Sequence, residues 1–137
     1  MIDKDIFKIL IADDQSILRQ RLKSFILAYM DDANILETED VPSTLALARV
    51  ENPQVIILDL CMPGGGGFHT IPTLKQLQPA PVVIILTNYP YPQYRQGCLQ
   101  SGADYFLDKS SEFELIPEIL QKIRSERNGL SLPNQTV

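Results

Sequence analysis

The sequence predicts an α/β domain: an open parallel sheet of five strands with helices on both faces. Three observations predict it. Short β-branched runs alternate five times with longer stretches of helical period, the pattern of βαβ units. Two of the runs, Val55-Ile56-Ile57-Leu58 and Val82-Val83-Ile84-Ile85-Leu86, are apolar throughout, as strands covered on both faces are. The chain has 137 residues, 45% of them apolar and 21% charged, which suits one domain with a full core and argues against a disordered chain.

The first strand is predicted over residues 7–12, ending against Asp13-Asp14. A helix follows from about Ser16, where Ile17, Leu18, Leu22, Phe25, Ile26 and Tyr29 recur at steps of three and four and form a stripe for the sheet. The second strand, residues 34–39, is more polar and belongs at an edge. Pro42 suits the first turn of a helix over 42–50, and Pro53 marks the turn back. The third strand stops at Asp59. Met62-Pro63 and the glycines Gly64 to Gly67 then lead into a helix ending near Leu77.

Pro79 and Pro81 precede the fourth strand, residues 82–86, and Thr87-Asn88 follow it. Tyr89-Pro90-Tyr91-Pro92 reads as a stiff turn into a helix through Leu99, and Gly102 suits the left-handed position past a helix end. The fifth strand covers 105–107. The last helix is expected from Ser111, with Ser111 and Glu114 as a capping box and Phe113, Leu115, Ile116, Ile119, Leu120 and Ile123 as its apolar stripe. Pro117 inside that span predicts a loose first turn. Residues 128–137 are polar and are expected to be a disordered tail, leaving 1–127 as the single domain.

Composition narrows the function. Twelve basic against 17 acidic residues give a net charge of -5, opposite to the clustered basic footprint of a nucleic-acid binder. Cys61, Cys98 and His69 lack the spacing of a zinc site, and two cysteines are too few for a disulfide scaffold. No apolar run approaches the roughly 20 residues needed to cross a bilayer, and no secretory signal opens the sequence. A cytoplasmic protein that binds neither membrane nor nucleic acid is the expectation. The glycine run lacks the lysine and Ser/Thr of a phosphate-binding loop and reads as a flexible connection. His69, without paired ligands, reads as a surface or structural residue.

The informative feature is positional. Asp13-Asp14, Asp59, Thr87 and Lys109 lie just beyond the carboxyl ends of the first, third, fourth and fifth strands, the rim where open parallel sheets bind ligands. An isolated acid there is ordinarily a helix cap or a solvated turn, and Asp14 is also placed to cap the first helix. Several together, each ending an apolar strand, call for another account. Three converging carboxylates repel unless a cation neutralises them, and oxygen ligands without a full protein cage suit Mg²⁺. A nearby lysine readies such a site for a dianion.

These residues resemble the receiver domains of two-component response regulators over about residues 6 to 125. The resemblance rests on Ile11-Ala12-Asp13-Asp14, on Leu58-Asp59-Leu60-Cys61-Met62-Pro63 with Gly67, on Thr87 after Ile84-Ile85-Leu86, and on Gly102-Ala103-Asp104-Tyr105-Phe106-Leu107-Asp108-Lys109. It implies a doubly wound, flavodoxin-like (βα)5 fold with strand order 2-1-3-4-5. It further implies that Asp59 is the phosphoacceptor, attacking phosphorus of a phosphohistidine on a sensor histidine kinase or histidine phosphotransfer protein, or of a small phosphodonor. Asp14, Asp59 and the Cys61 carbonyl would ligate Mg²⁺, with Asp13 acting mainly through water. Thr87 and Lys109 would serve the transfer, and Thr87 with Phe106 would form the switch. The fourth helix, fifth strand and fifth helix would form the face for a downstream protein target. The unphosphorylated chain is expected to be a monomer, with dimerisation on phosphorylation as the alternative.

Some positions depart from the family pattern. Ser110 stands where proline in a cis link usually follows the lysine, so the geometry of the Lys109–Ser110 bond is left open. Asn88 replaces the small residue common after the switch hydroxyl, and Tyr89 adds bulk near the site. Cys61 lies two residues after Asp59, where a rim role outweighs a reactive thiol. The leading expectation is a stand-alone phosphoacceptor that is not a multiple-turnover enzyme. A receiver-like binding scaffold working without phosphorylation and a small phosphate-ester hydrolase are the competing readings.

Overall fold

The structure, a computed structural model, describes residues 6–64 and 67–127. The first five residues, Gly65, Gly66 and the expected tail at 128–137 lie outside the described residues. Strand and helix alternate as β1 (Lys8–Ala12), α1 (Ser16–Tyr29), β2 (Asn34–Thr38), α2 (Val41–Glu51), β3 (Val55–Leu58), α3 (Gly67–Lys75), β4 (Val82–Thr87), α4 (Pro92–Gln100), β5 (Tyr105–Asp108) and α5 (Ile116–Arg127). The strands are parallel in the order β2-β1-β3-β4-β5. The strand order reverses between β1 and β3, and the polar strand β2 takes an edge, as its composition predicts.

A core lies on each face of the sheet because alternate strand residues point to opposite sides. Ile9, Ile11, Ile57, Ile84 and Leu86 pack with Leu22 and Ile26 of α1 and with Ile116, Leu120 and Ile123 of α5. Leu10, Ile56, Leu58, Val83, Ile85 and Phe106 pack on the other face with Ala48, Ile71, Leu74 and Cys98. Each fully buried Ile or Leu contributes about 1.5–3 kcal/mol relative to exposure, so the central strands dominate stability. Cys98 is wholly buried, and burial pushes its thiol up to about 11.

Two expectations for α1 and α5 are corrected. Ile17 and Tyr29 are 73% and 57% exposed: Ile17 stands off the three- and four-residue steps that join Leu22 and Ile26 and so turns away from the core, and Tyr29 sets its ring edge-on to Phe25 at 5.5 Å at the margin of the buried face. Ser111 and Glu114 form no capping box at the start of α5. The Ser111 hydroxyl donates to Asp108 at 3.1 Å, a 3₁₀ turn follows at Phe113–Leu115, and the α-helix starts at Ile116. Pro117 therefore sits at the second helical position, where its missing N–H has no partner to lose. The irregular first turn that Pro117 predicts is present.

Local chemistry sets the other boundaries. Gly102 has φ +114° and closes α4, with the Ala103 N–H donating to the Cys98 carbonyl at 3.0 Å. The Asp40 carboxylate accepts from the Ser43 N–H at 2.8 Å and caps α2. These bonds hold its pKa below the ordinary carboxylate value. A folded-state pKa below the unfolded one means that the cap stabilises fully above the unfolded value, and that this is lost as pH falls through the folded value. Asp40→Ala is accordingly expected to lower the melting temperature by roughly 2–6 °C at neutral pH, with a smaller difference in acid, as followed by circular dichroism.

Candidate functional site

Four strands end at one rim, and the ladder itself brings their final residues together. Ala12 is in register with Leu58, and Thr87 with Asp108, so Asp13, Asp59, Thr87 and Lys109 emerge side by side. Backbone bonds continue past the strand ends. Asp13 N–H donates to Thr38, Asp59 N–H to Ala12 and Lys109 N–H to Thr87, at 3.0, 3.0 and 2.8 Å. The apolar strands thus hold the polar residues from below.

Carboxylate oxygens of Asp13, Asp14 and Asp59 lie within 4.8 Å of one another. Asp13 and Asp59 are buried and Asp14 is exposed. Lys109 Nζ stands 2.7 Å from Asp13 Oδ2 and 3.7 Å from Asp59 Oδ1, its side chain only 6% exposed. Burial raises the Asp59 pKa above its ordinary value. Lys109 pulls it down, Asp13 pushes it up, the Cys61 N–H at 3.2 Å lowers it and Asp14 raises it. The donors are all hard oxygens, one side is open at Asp14, and one lysine opposes three acids, an arrangement that fits a divalent cation retaining some of its water.

Asp14 does not cap α1. Gln15 precedes the helix without a side-chain bond, and its N–H donates to Asp13 Oδ1 at 2.8 Å, so the acid that organises the turn is Asp13. Cys61 is an exposed rim residue, yet partial desolvation of its sulfur and then the Asp59 carboxylate raise its thiol pKa, opposite to what a reactive thiolate needs. Thr87 is fully buried, and its hydroxyl accepts from the Tyr89 N–H at 3.0 Å. Phe106 is buried on the α4 side of the sheet. Arg95 of α4 donates to the Phe106 carbonyl at 3.2 Å and lays its guanidinium 5.9 Å from the ring centre. The Lys109–Ser110 bond is trans. His69 is exposed.

Two supporting groups escape a reading of motifs. Arg19 donates to the Asp13 carbonyl at 2.5 Å while its Nε bonds Glu37 at 3.0 Å, pinning the acidic turn to β2. Asp108 binds the two serines after Lys109. Arg19 is six residues from Asp13 with no motif linking them. For Asp108 the Asp-x-Ser spacing of Asp108-Lys109-Ser110 is the turn signal that could have found it.

An acidic pocket with an opposed lysine, at the carboxyl rim of a 2-1-3-4-5 sheet, defines a signalling domain of the receiver class. Residues 9–121 match the response regulator receiver domain, and the chain belongs to that family. It is 32% identical over 123 residues to the uncharacterized transcriptional regulatory protein YhcZ of Bacillus subtilis, covering 89% of this chain and 55% of that protein. It is 28% identical over 108 residues to a cyclic di-GMP phosphodiesterase of Thermotoga maritima, covering 79% of this chain and 28% of that one. The chain spans little more than half, or less, of the curated relatives it matches.

Among solved structures, a DNA-binding response regulator of the LuxR family from Staphylococcus aureus superposes with a TM-score of 0.77 at 28% identity, covering 86% of this chain and 98% of that chain. A CheY-like receiver domain protein from Methanospirillum hungatei shares the fold at a TM-score of 0.80 and 19% identity, covering 92% and 99%. Receiver domains bind Mg²⁺ at an acidic pocket and interact with histidine kinases or phosphotransfer proteins and with downstream targets. They are signalling domains, generally not multiple-turnover enzymes. No helix among the described residues is long and apolar enough to cross a membrane.

Proposed function

We propose that the chain is a phosphoacceptor in two-component phosphorelay signalling, receiving a phosphoryl group on Asp59 from a histidine kinase or histidine phosphotransfer protein. The observation that carries this reading is the buried Asp59 carboxylate, set beside Asp13 and Asp14 and faced by Lys109. An Asp59 carboxylate oxygen attacks phosphorus, the P–N bond to the donor imidazole breaks, and that nitrogen leaves with the electron pair and is protonated. Asp14, Asp59 and the Cys61 carbonyl would hold Mg²⁺, with Asp13 outside the direct set. The ion, when bound, supplies charge neutralisation at the phosphoryl oxygens. Lys109, its side chain only 6% exposed, supplies a second, fixed positive charge partly withdrawn from solvent.

The switch follows from which side of the sheet feels the new group. Thr87, Ile85 and Val83 alternate onto the face that carries Phe106, Cys98 and α4. A phosphoryl group on Asp59 offers oxygens that compete for the Thr87 hydroxyl, and movement of Thr87 is passed to Phe106 and the face formed by α4, β5 and α5. That face is the proposed surface for a downstream protein target.

Incubating the chain with Mg²⁺ and a small phosphodonor such as acetyl phosphate is expected to add one phosphoryl mass. The label should be sensitive to hydroxylamine, map to the peptide containing Asp59, and be absent in EDTA. No label, or a label elsewhere, overturns the proposal and leaves the scaffold reading. Repeated release of phosphate from external esters would instead favour the hydrolase.

A further inference from the structure

We infer that Asp108 is a positioning residue for Lys109 and that its bonds to Ser110 and Ser111 hold the lysine in the acidic pocket. This rests on reading the site as a phosphoacceptor. Asp108 ends β5 opposite Thr87, and Lys109 is the first residue beyond the strand. Asp108 Oδ1 accepts from the Ser110 N–H at 2.9 Å and from the Ser110 hydroxyl at 2.8 Å, while Oδ2 accepts from the Ser111 hydroxyl at 3.1 Å. The first of these bonds closes a turn whose central residue is Lys109, so the Asp108 carboxylate restrains the lysine's own backbone dihedrals.

The rest of the loop is tied to the same residue. Asp108 donates its N–H to Glu112 Oε1 at 2.9 Å and accepts the Glu112 N–H on its carbonyl at 2.9 Å. Lys109 N–H is anchored on the Thr87 carbonyl at 2.8 Å. With a trans bond at Lys109–Ser110 and no proline after the lysine, stiffness at this point comes from side chains. It is needed because a lysine stem has large rotamer freedom, and a small displacement of a catalytic group costs rate steeply. Lys109 Nζ must stay near two acids at 2.7 and 3.7 Å. Asp108 acts on the reaction only through that ammonium.

The test follows Mg²⁺-dependent labelling by acetyl phosphate over time in the full chain. Asp108→Ala is expected to lower the maximal rate about tenfold with the half-saturating donor concentration unchanged. Asp108→Asn, which keeps an oxygen for the Ser110 N–H, should restore most of it. In a Lys109→Ala background, Asp108→Ala should add no further loss, because its effect passes through the missing ammonium. Losses that multiply instead would make Asp108 a general loop stabiliser and overturn the inference. Should Asp108→Ala fail to fold, Ser110→Ala combined with Ser111→Ala removes two of the three side-chain bonds and is expected to slow labelling about threefold.

A second readout does not depend on phosphorylation. The Lys109 ammonium should give a slowly exchanging NMR signal in the wild-type chain and in Asp108→Asn, lost in Asp108→Ala or in the double serine variant. An unchanged signal in those variants overturns the inference even if the chain takes up no phosphoryl group. Absence of labelling in the wild-type chain overturns the reading of the site instead.

Discussion

Asp59→Asn is expected to abolish phosphoryl labelling and, in EDTA at neutral pH, to raise the melting temperature. The first effect follows from loss of the attacking carboxylate. The second follows from burial, the largest influence on Asp59, which raises its pKa in the folded chain. The unfolded chain ionises this group at lower pH, so stability falls as pH rises from the ordinary carboxylate range through the raised folded value, and the cost is fully present above it. Asparagine removes that cost and the repulsion from Asp13 and Asp14, while Lys109 keeps Asp13 at 2.7 Å. A gain of a few degrees is expected by calorimetry, vanishing in acid.

Mg²⁺ should reverse the order. A ligand bound only by the folded chain stabilises it by about 2.7 kcal/mol at one hundred times its dissociation constant. The wild-type melting temperature should therefore climb with Mg²⁺, and that of Asp59→Asn should climb much less. Equal shifts would show that Asp59 is not a ligand. A lower melting temperature for the variant in EDTA would show that its pairing with Lys109 outweighs its burial.

Lys109→Ala is expected to separate holding the metal from transferring the phosphoryl group. The ammonium is nearly buried beside Asp13 and Asp59, so its removal leaves two enclosed carboxylates without the charge that stands between them. In EDTA the variant should melt below the wild type. Mg²⁺ then becomes the main neutralising charge and should bind more tightly than in the wild type. The labelling rate should nevertheless fall by about 10²–10³, the usual cost of removing one preorganised charge-stabilising group. Weaker Mg²⁺ binding or an undiminished rate would refute this division of labour.

How far such a site is legible in sequence depends on what kind of interaction builds it. Val55–Leu58 and Val82–Thr87 announce themselves because a central parallel strand must be apolar on both faces, and the polar residue that ends each run is then at the rim. Asp59, Thr87, Asp13 and Lys109 could be gathered on paper for that reason. The start of α5 is ambiguous in sequence because Ser111 has two local uses, capping a helix or binding Asp108 three residues back, and the structure takes the second at 3.1 Å. Ile17 is apolar but stands off the three- and four-residue steps that join Leu18, Leu22 and Ile26, so strict spacing alone sets it apart from the buried stripe. Arg19 carries no such signal. Its partner is a backbone carbonyl, which every residue carries.

The enclosure of Cys98 gives the chain an internal clock for opening. Its sulfur lies within the α4-side core and its thiol is held up at about 11, so an alkylating reagent reaches a reactive thiolate there only when that packing comes apart. Cys61, out on the rim, needs no such opening, although its raised pKa slows its own reaction. The ratio of the two modifications over time measures how often the molecule unlocks, on the native protein and without a denaturant, from two sulfur atoms that the fold places on opposite sides of that barrier.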